Sequence, residues 1–358
     1  MPQTLAQAQL NTQDDVNYAV IDNLRRYSWL LDQVVFDDTV TPGTGGGSLV
    51  YAYTRLLAPR GAAFRAWNSD YTADEATRER GSVELHPLGG SFEVDRVLAE
   101  LGQASTNEVT FQMQQLLTSV RAKFQQELVL GDTAVDANGF DGLDKLLTGQ
   151  ATEYKPITED PDGEGFLDWT AGTINSQALA MAALDVLDDF LSRIVPSTTG
   201  GGDLGAPGAL PPGQKAILGN TTSITRVRAL ARWAGMYTAA KDELGRQVEM
   251  YGPWTLVNIG DNMTGAAPII PIESRDADED GGTTPAVGGL TDLYAVSFGL
   301  DSFHGASVAG RSLVNTYMPP FDLPGVVKKG EIEMGPVAAV LRNVKSCGVL
   351  RNIKVSGA

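Results

Sequence analysis

Apolar residues recur every three or four positions between Ser105 and Leu130, which places them on one face of an α-helix. Ser105 and Glu108 have the spacing of a capping box, and Gly131 can adopt the left-handed conformation that ends many helices. A helix of about 25 residues spans roughly 38 Å, so the pattern predicts an amphipathic spine that lies across a sheet. The apolar face comprises Val109, Met113, Leu116, Leu117, Val120, Phe124 and Leu128.

A second helical pattern, formed by Val20, Leu24, Tyr27, Leu31 and Val34, precedes the glycine-rich segment 42–47. This helix could pack on its own domain. It could instead reach a neighbouring subunit, because a glycine run lets the chain leave its own fold. The spacing alone favours neither interpretation.

Alternation of side chains from Leu49 to Arg55 predicts a strand, and a second strand is predicted at Val83–His86. The polar stretch 68–82 between them predicts a loose tip. An isolated two-stranded ribbon is only marginally stable in water, so this excursion requires a partner surface on its own body or on another copy. Its charges are balanced, which suits ion pairs across subunits, although a solvated hairpin is the plain alternative. These charges are Arg55, Arg60, Arg65, Arg78 and Arg80 with Asp70, Asp74, Glu75, Glu79 and Glu84.

The rest of the chain alternates helical and strand patterns, which indicates an α/β or α+β fold. A Gly- and Asp-rich stretch at 150–165 marks a domain boundary. The predicted elements are a strand at 91–97, helices at 140–147, 173–194 and 221–235, strands at 215–219, 254–259 and 293–298, and a closing sheet within 326–355.

Length and charge narrow the functional classes. A chain of 358 residues predicts two domains, or one domain with large excursions. The net charge of −17 makes it a poor nucleic-acid binder, although a surface that lies near DNA without binding it would also be acidic. The single cysteine excludes an internal disulfide, and we expect neither a signal peptide nor a membrane span.

Metal sites are poorly supported. Asp276, Asp278 and Asp280 match the first half of a calcium loop, but the twelfth position, which should be a bidentate Glu, is Val287. The fragment that begins at Asp160 resembles the same half of a calcium loop, but its twelfth position is Ala171 instead of a bidentate Glu. The two histidines, His86 and His304, have no ligand partner at zinc spacing.

Catalytic motifs are equally scarce. The sequence has no G-x-S-x-G nucleophile motif and no phosphate-binding glycine loop. Cys347 lies between predicted strands, where a cysteine usually behaves as a small hydrophobe. We therefore expect no catalytic residue, no metal and no cofactor.

The order of these elements resembles the major capsid proteins of tailed bacteriophages, whose Hong Kong 97-type fold is shared with bacterial encapsulins. Nearly the whole chain takes part in this resemblance, and the ordered set of motifs is more specific than any one of them. The motifs are FRAWN at 64–68, GSFEVDR at 90–96, LGDTAVDANGFDGL at 130–143, ILGN at 217–220 and YGPWTL at 251–256.

The resemblance implies an α+β Hong Kong 97-type fold that combines an arm, an extended loop and two domains. The implied segments are an N-terminal arm at 1–44, an extended two-stranded loop at 45–90, a peripheral domain with the spine helix at 91–149, an axial domain at 150–321 and a C-terminal return to the peripheral domain at 322–358.

The resemblance also implies a structural function without catalysis. Copies of the chain would form pentamers and hexamers of an icosahedral virion head that encloses double-stranded DNA without sequence-specific binding. Assembly would take place in the cytoplasm of the bacterial host, with a scaffolding protein, a portal and decoration proteins as possible partners and no membrane. Because the implied arm begins almost at Met1, we expect any scaffold to be a separate protein. The implied interface residues are Leu24, Tyr27, Leu31, Arg55, Arg60, Arg65, Trp67, Glu75, Arg78 and Glu79.

The extended loop departs from the pattern of some family members, which link it to a neighbour through a Lys–Asn isopeptide bond. The first lysine of this chain is Lys123, so its loop cannot supply the amine. We therefore expect a non-covalent shell.

Three alternatives stay open at this point. An encapsulin shell would contain protein cargo instead of a genome. An enzyme with an unrecognised acid–base pair is disfavoured by the scarcity of histidine. A monomeric binding module would leave the excursion without a partner.

Overall fold

The structure, a computed structural model, describes residues 29–41, 49–97 without 59 and 74, 108–194 without 162, 214–235, 238–241, 247–278 and 285–356 without 323. The helices are α1 (Trp29–Gln33), α2 (Glu108–Leu130), α3 (Leu143–Leu147), α4 (Pro156–Glu159), α5 (Gln177–Ser192) and α6 (Thr221–Trp233), with a 3-10 turn at Val344–Ser346. The strands are β1 (Phe36–Val40), β2 (Val50–Ala58), β3 (Thr77–Glu84), β4 (His86–Asp95), β5 (Glu153–Tyr154), β6 (Leu167–Asp168), β7 (Lys215–Gly219), β8 (Thr238–Lys241), β9 (Gln247–Tyr251), β10 (Trp254–Asn258), β11 (Glu273–Arg275), β12 (Val287–Ser297), β13 (Phe303–Val308), β14 (Val314–Tyr317), β15 (Val327–Leu341) and β16 (Gly348–Lys354).

Within the described ranges, a five-stranded sheet follows the order β1-β13-β15-β14, and β4 also pairs with β15. The pairing of β4 with β15 is long and antiparallel, running from His86 opposite Val337 to Asp95 opposite Val327. The strand β1 pairs with β13 in parallel at the edge of this sheet. Residues 29–40 are therefore integrated into the body of this chain, although they belong to the segment predicted as an arm.

The larger sheet of the described residues has nine strands in the order β5-β16-β12-β7-β10-β9-β8, with β11 on β12 and β6 on β16. Side chains alternate between its two faces, as the period of a strand requires. Leu218 and Tyr294 contribute to one hydrophobic core, and their chain neighbours Ile217 and Leu293 contribute to the other. This sheet thus has an apolar core on both faces, one shared with the spine helix α2 and one with helices α5 and α6.

The predicted spine helix is confirmed as α2, which packs across β4 and β15. Phe124 and Leu128 on its predicted apolar face are fully buried. Ser105 of the predicted cap lies outside the described residues. Gly90 on β4 allows the close approach, because a Cβ there would meet the Leu116 side chain at 2.6 Å.

The end of the spine helix corrects one expectation. Gly131 follows the last residue of α2, but its φ is not positive, so it is not a left-handed cap. A Cβ at this position would instead collide with the carbonyl oxygens of Phe140 and Glu127. Glycine is needed here because the following loop folds back over the helix end.

Two strand boundaries also differ from the predictions. The strand β3 begins at Thr77, so the predicted loose tip is wrong for 77–82. Its charged side chains lie on an exposed two-stranded ribbon, where no buried face imposes apolar alternation. The strand β4 begins at His86 instead of Ser91, because Pro87, Gly89 and Gly90 conceal the strand pattern in the sequence.

The C-terminal segment divides between the two sheets. The strand β15 pairs with β4, β13 and β14, whereas β16 pairs with β12, β5 and β6. Segment 322–358 therefore contributes one strand to the five-stranded sheet and one to the nine-stranded sheet.

Candidate functional site

The strands β2 and β3 form a separate two-stranded sheet. We call these two strands and the loop at 59–76 that joins them the hairpin. Its antiparallel register runs from Val50 opposite Glu84 to Ala58 opposite Thr77. Among the described residues, neither strand pairs with a strand of the two larger sheets. The hairpin thus projects from the two larger sheets, and the half far from its base is held together by the hydrogen bonds between β2 and β3.

The base of the hairpin is fastened by side chains. The Tyr51 hydroxyl donates a hydrogen bond to Asp37 Oδ2 on β1 at 2.7 Å, and His304 Nε2 on β13 lies 3.3 Å from the same hydroxyl. The Tyr53 hydroxyl donates to the Leu341 carbonyl oxygen at 3.3 Å. Burial, together with the bond to Asp37, raises the pKa of Tyr51 to about 12, so its hydroxyl stays protonated.

The ladder also fixes the position of Tyr53. This residue lies opposite Gly81, and a Cβ at Gly81 would meet the Tyr53 ring at 2.5 Å. The ring therefore covers the glycine of the partner strand, which supports the register near the base.

The loop at the tip of the hairpin has a defined turn. Arg65 Nη1 donates to the carbonyl oxygens of Ala66 and Ser69 at 3.3 Å and 3.1 Å, and its guanidinium lies 5.4 Å from the centre of the Tyr71 ring. Asn68 has a φ of 64°, which is tolerated by asparagine in a turn. This arrangement presents Trp67, whose side chain is 94% exposed.

Large apolar side chains are concentrated on the distal hairpin and are exposed: Leu56, Leu57, Phe64, Trp67 and Tyr71. A contiguous exposed apolar surface usually marks an interaction site, and a long loop in a compact fold is usually functional. Of these residues, only Trp67 was among the interface residues implied by the sequence. The others follow neither a helical nor a strand period, so their density within 56–71 is the signal that could have identified them.

The charged residues predicted for the interface divide into two groups. Arg55 and Glu79 are paired with each other within the hairpin at 2.6 Å, and Arg65 supports the tip turn. Arg60, Glu75 and Arg78 are exposed on the hairpin surface.

Of the predicted helical interface residues, Leu31 is the one that the structure describes. Leu31 is partly buried against the core of this chain, next to the fully buried Leu30. Leu24 and Tyr27 lie outside the described residues.

A second exposed apolar surface, the distal patch, lies at the far end of the β4–β15 pair and comprises Val97, Val326 and Val327. The chain is closed there by a backbone hydrogen bond of 3.0 Å from the Arg96 N–H to the Val326 carbonyl oxygen. Because a strand rises about 3.3 Å per residue, the ten residues of β4 place this patch roughly 30 Å from the hairpin base.

A buried ionic network joins the elements around Asp292 on β12, which is 2% exposed. Arg275 Nη1 lies 2.8 Å from both Asp292 carboxylate oxygens, and Arg351 Nη1 lies 3.2 Å from Oδ2. The Asn352 N–H donates to Oδ1 at 3.0 Å, and Arg351 also contacts Asp144 on α3. The network connects β11, β12, β16 and α3, which indicates a structural role.

No metal-binding arrangement is present among the residues that the structure describes. They contain no cluster of three His, Cys, Asp or Glu side chains able to hold a metal ion. Burial raises the pKa of the Cys347 thiol to about 11, so it stays protonated and unreactive. None of the described helices has the length and apolar character needed to cross a membrane. Asp280 of the possible calcium loop lies outside the described residues.

Comparisons with known proteins show a shared fold. No family model and no curated protein matches the sequence. The structure is similar to the holo-SrpI encapsulin of Synechococcus elongatus PCC 7942, with 11% identity and a TM-score of 0.57 over 99% of this chain and 97% of that chain. It is also similar to the capsid of cyanophage A-1(L), with 12% identity and a TM-score of 0.54 over 97% and 98% of the two chains. The structure of Mycobacterium phage Bobi gives 12% identity and a TM-score of 0.54 over 99% of both chains. These likenesses confirm the predicted Hong Kong 97-type α+β fold over nearly the whole chain.

Proposed function

We propose that this chain, which has the Hong Kong 97-type fold, is the major capsid protein of a tailed phage, and that its copies assemble into an icosahedral head around double-stranded DNA. One observation carries the proposal: the distal hairpin exposes Leu56, Leu57, Phe64, Trp67 and Tyr71 away from the body of the chain. Such a surface is stabilised only when it is covered, and a second copy of the same chain supplies a cover in every repeat of a shell.

The hairpin of one copy is proposed to dock on the body of the next copy, with the distal patch as the receiving surface. The hairpin base and the distal patch lie at opposite ends of the β4–β15 pair, and a contact between two different surfaces of the chain is head-to-tail. Head-to-tail contacts between identical subunits close into rings when the rotation permits, which is what pentamers and hexamers require. An aromatic side chain buries about 150–250 Å² when covered, so Phe64, Trp67 and Tyr71 would supply much of a standard interface.

The polar residues of the hairpin are assigned a secondary role. Arg60 and Arg78, which are exposed, are proposed to pair across the contact, while Arg55, Glu79 and Arg65 maintain the hairpin itself. Glu75 is a proposed interface residue at the hairpin surface. Leu24, Tyr27 and Leu31 are proposed interface residues of the arm. Segment 1–44 is the proposed N-terminal arm, 45–90 the extended loop, 91–149 with 322–358 the peripheral domain, and 150–321 the axial domain.

The proposed role is structural, without catalysis, in a virion that is assembled in the cytoplasm of the bacterial host. A scaffolding protein, a portal and decoration proteins are the proposed accessory partners. The negative charge of −17 suits a container that holds DNA without binding its sequence. Because the hairpin contains no lysine, the shell is proposed to be non-covalent.

The second candidate is an encapsulin-type compartment. It is favoured by the likeness to the SrpI encapsulin, with a TM-score of 0.57 over 99% of this chain. The two candidates share the subunit contact and differ in what the shell encloses.

Negative-stain electron microscopy of the purified chain, combined with size-exclusion chromatography, tests both candidates. Closed shells or capsomer rings support assembly, and nuclease-protected DNA or protein cargo inside then distinguishes the phage head from the compartment. Shells boiled in SDS should give monomers near 38.0 kDa, whereas ladders would contradict a non-covalent shell. A compact monomer whose hairpin resists protease would contradict assembly through the hairpin.

A further inference from the structure

The hairpin has two unlike faces, because side chains alternate across a strand. Tyr51 and Tyr53 lie on the face that is fastened to the body of the chain. The opposite face carries Arg78 and Arg80 of β3, and Leu56 of β2 lies directly opposite Arg78 in the ladder. These three residues are exposed, and we call them the arginine face.

The arginine face has no close counter-charge in its own chain. Arg55, on the other face of the hairpin, is paired with Glu79. Arg78 and Arg80 form no ion pair with any residue that the structure describes. The carboxylate that β2 and β3 contribute to the arginine face is that of Glu84, which lies four residues from Arg80 along β3, roughly 13 Å away. The two guanidinium groups are therefore available to a partner.

One face of the five-stranded sheet is uncovered. Gly90 of β4 lies against Leu116 of the spine helix α2, so the residues of β4 and β15 that alternate with Gly90 and its partner Ile332 face away from this helix. Residues 327–333 of β15 are accordingly exposed or half-buried at odd positions and buried at even positions.

The uncovered face is acidic. On β4 and β15 it carries four carboxylates and one lysine, Lys329, which pairs with Glu331. We call the four carboxylates the acidic face: Glu93, Asp95, Glu331 and Glu333.

The arginine face and the acidic face match in spacing as well as in charge. Side chains two residues apart on a strand lie on the same face, roughly 6.6 Å apart. Arg78 and Arg80 have this spacing on the hairpin, and Glu331 and Glu333 have it on the sheet. A hairpin that lies along β15 therefore brings both arginines onto both glutamates at once.

The apolar neighbours of these charges match as well. Leu56 lies beside Arg78 on the hairpin, and Tyr317 of β14 lies beside Glu331 on the sheet; both are exposed. Docking covers these two side chains, and a guanidinium is attracted to the face of a tyrosine ring. Val327 of the distal patch lies on the same face of β15 as Glu331, four residues away. A hairpin whose tip points toward Val327 thus contacts the acidic face and the distal patch together.

We propose that the arginine face of one copy docks on the acidic face of a second copy. The inference rests on the proposed function, because its occupant is another copy of this chain, and it deepens that function by naming the charges that meet. The acidic face repels nucleic acid, so DNA is not its partner. Opposite charges at the contact steer the approach of two copies and penalise wrong registers, and both effects weaken as the salt concentration rises.

Exchange of charge between the two faces tests the proposal. Arg78→Glu with Arg80→Glu gives the hairpin variant, and Glu331→Arg with Glu333→Arg gives the sheet variant. Each variant alone brings like charges together and should raise the protein concentration needed for shell formation at least about tenfold. The chain with all four substitutions should assemble within about threefold of the wild-type concentration, because opposite charges meet again. Reversal of both members of each pair makes the test independent of the direction in which the hairpin lies.

A matched control separates this contact from the effect of net charge. The hairpin variant is combined with Glu164→Lys and Asp185→Lys, two exposed carboxylates outside the acidic face, and it should stay defective. Rescue by this control would overturn the proposal. So would a four-substitution chain that has wild-type circular dichroism but is as defective as the single-face variants, while the wild type forms shells.

Cysteine cross-linking decides the point if a charge-reversed chain does not fold. Cys347, the one native cysteine, is fully buried, so Arg80→Cys and Glu333→Cys each supply one accessible thiol. Equal amounts of the two variants are mixed, concentrated and treated with a short bis-maleimide. Dimers that join the two variants should form, and they should not form when Glu164→Cys replaces Glu333→Cys.

The outcomes of cross-linking distinguish this inference from the proposed function. Shells without a link between Arg80→Cys and Glu333→Cys would contradict the docking of the two faces and leave self-assembly intact. Neither shells nor links at any concentration would contradict the proposed function as well.

Discussion

Arg55 and Glu79 lie directly opposite each other in the hairpin, and Arg55 Nη2 is 2.6 Å from Glu79 Oε2. Both side chains are partly exposed, so the pair contributes about 0.2–1 kcal/mol to the ladder. The sequence assigns both residues to contacts between subunits, whereas this pairing assigns them to the stability of the hairpin before docking.

Exchange of the two charges distinguishes these roles. Arg55→Glu combined with Glu79→Arg preserves the pair within the hairpin, so the double variant should assemble at the same protein concentration as the wild type. Arg55→Glu alone places two carboxylates opposite each other and should raise the concentration needed for assembly a few-fold. Light scattering over a concentration series measures the protein concentration at which each variant assembles. A double variant as defective as the single variant would show that the residues act across subunits.

Trp67 should be a dominant contact of the assembled state. Truncation of a buried aromatic anchor typically costs about 2 kcal/mol or more, which corresponds to roughly a 30-fold weaker contact. Trp67→Ser should therefore raise the concentration needed for shell formation at least about 30-fold, measured by size-exclusion chromatography. Its circular dichroism and urea midpoint should match the wild type, because the side chain is 94% exposed in the single chain.

Trp233→Ser is the matched control for this variant, since Trp233 is 48% exposed on α6 and lies outside the hairpin. It should assemble like the wild type. Assembly of Trp67→Ser at the wild-type concentration would rule out the tip of the hairpin as the docking surface.

Asp292 should be among the most sensitive polar residues. Asp292→Ala removes the carboxylate between Arg275 and Arg351 and leaves their charges in a largely buried site, which costs about 3–5 kcal/mol. Urea denaturation, monitored by circular dichroism, measures the loss in the free energy of unfolding. Asp185→Ala, at an exposed position of α5, should change stability by no more than about 0.5 kcal/mol. Equal midpoints for the two variants would show that the network contributes little.

Gly131 should not tolerate a side chain. Gly131→Ala introduces a Cβ against backbone oxygens of Phe140 and Glu127, which cannot move without distorting the helix end, so we expect a loss of about 1–3 kcal/mol. Gly172→Ala is the control, because a Cβ there meets no atom within 4 Å. Thermal unfolding measures the stability of the Gly131→Ala and Gly172→Ala variants against the wild type. A stable Gly131→Ala chain would mean that the loop after α2 can move away.

The sequence predicts the elements whose apolar residues face a core. The spine helix could be located because Val109, Val120, Phe124 and Leu128 are buried at helical spacing. The charged strand at Thr77–Glu84 could not be located, because its residues from Thr77 to Arg80 are exposed on both faces. The ionic partners of Asp292 come from strands far apart in sequence, so no local pattern links them.

The proposed docking surface could be predicted only in outline for the same reason. Phe64 and Tyr71 are exposed in the single chain, and exposure has no periodicity in sequence. Balanced charges indicated a contact between subunits, but Arg55 and Glu79 satisfy each other and Arg65 supports a turn. Only the folded arrangement separates residues that shape the hairpin from residues available to a partner.

The central claim, that the hairpin tip is buried on another copy in the shell, is tested most directly by hydroxyl-radical footprinting. Oxidation of Trp67 is compared between intact shells and folded subunits dissociated from them, with the buried Trp169 as the control for unfolding. The account predicts rapid oxidation of Trp67 in the subunits and strong protection in the shells, with Trp169 protected in both. Equal oxidation of Trp67 in shells and subunits would contradict it.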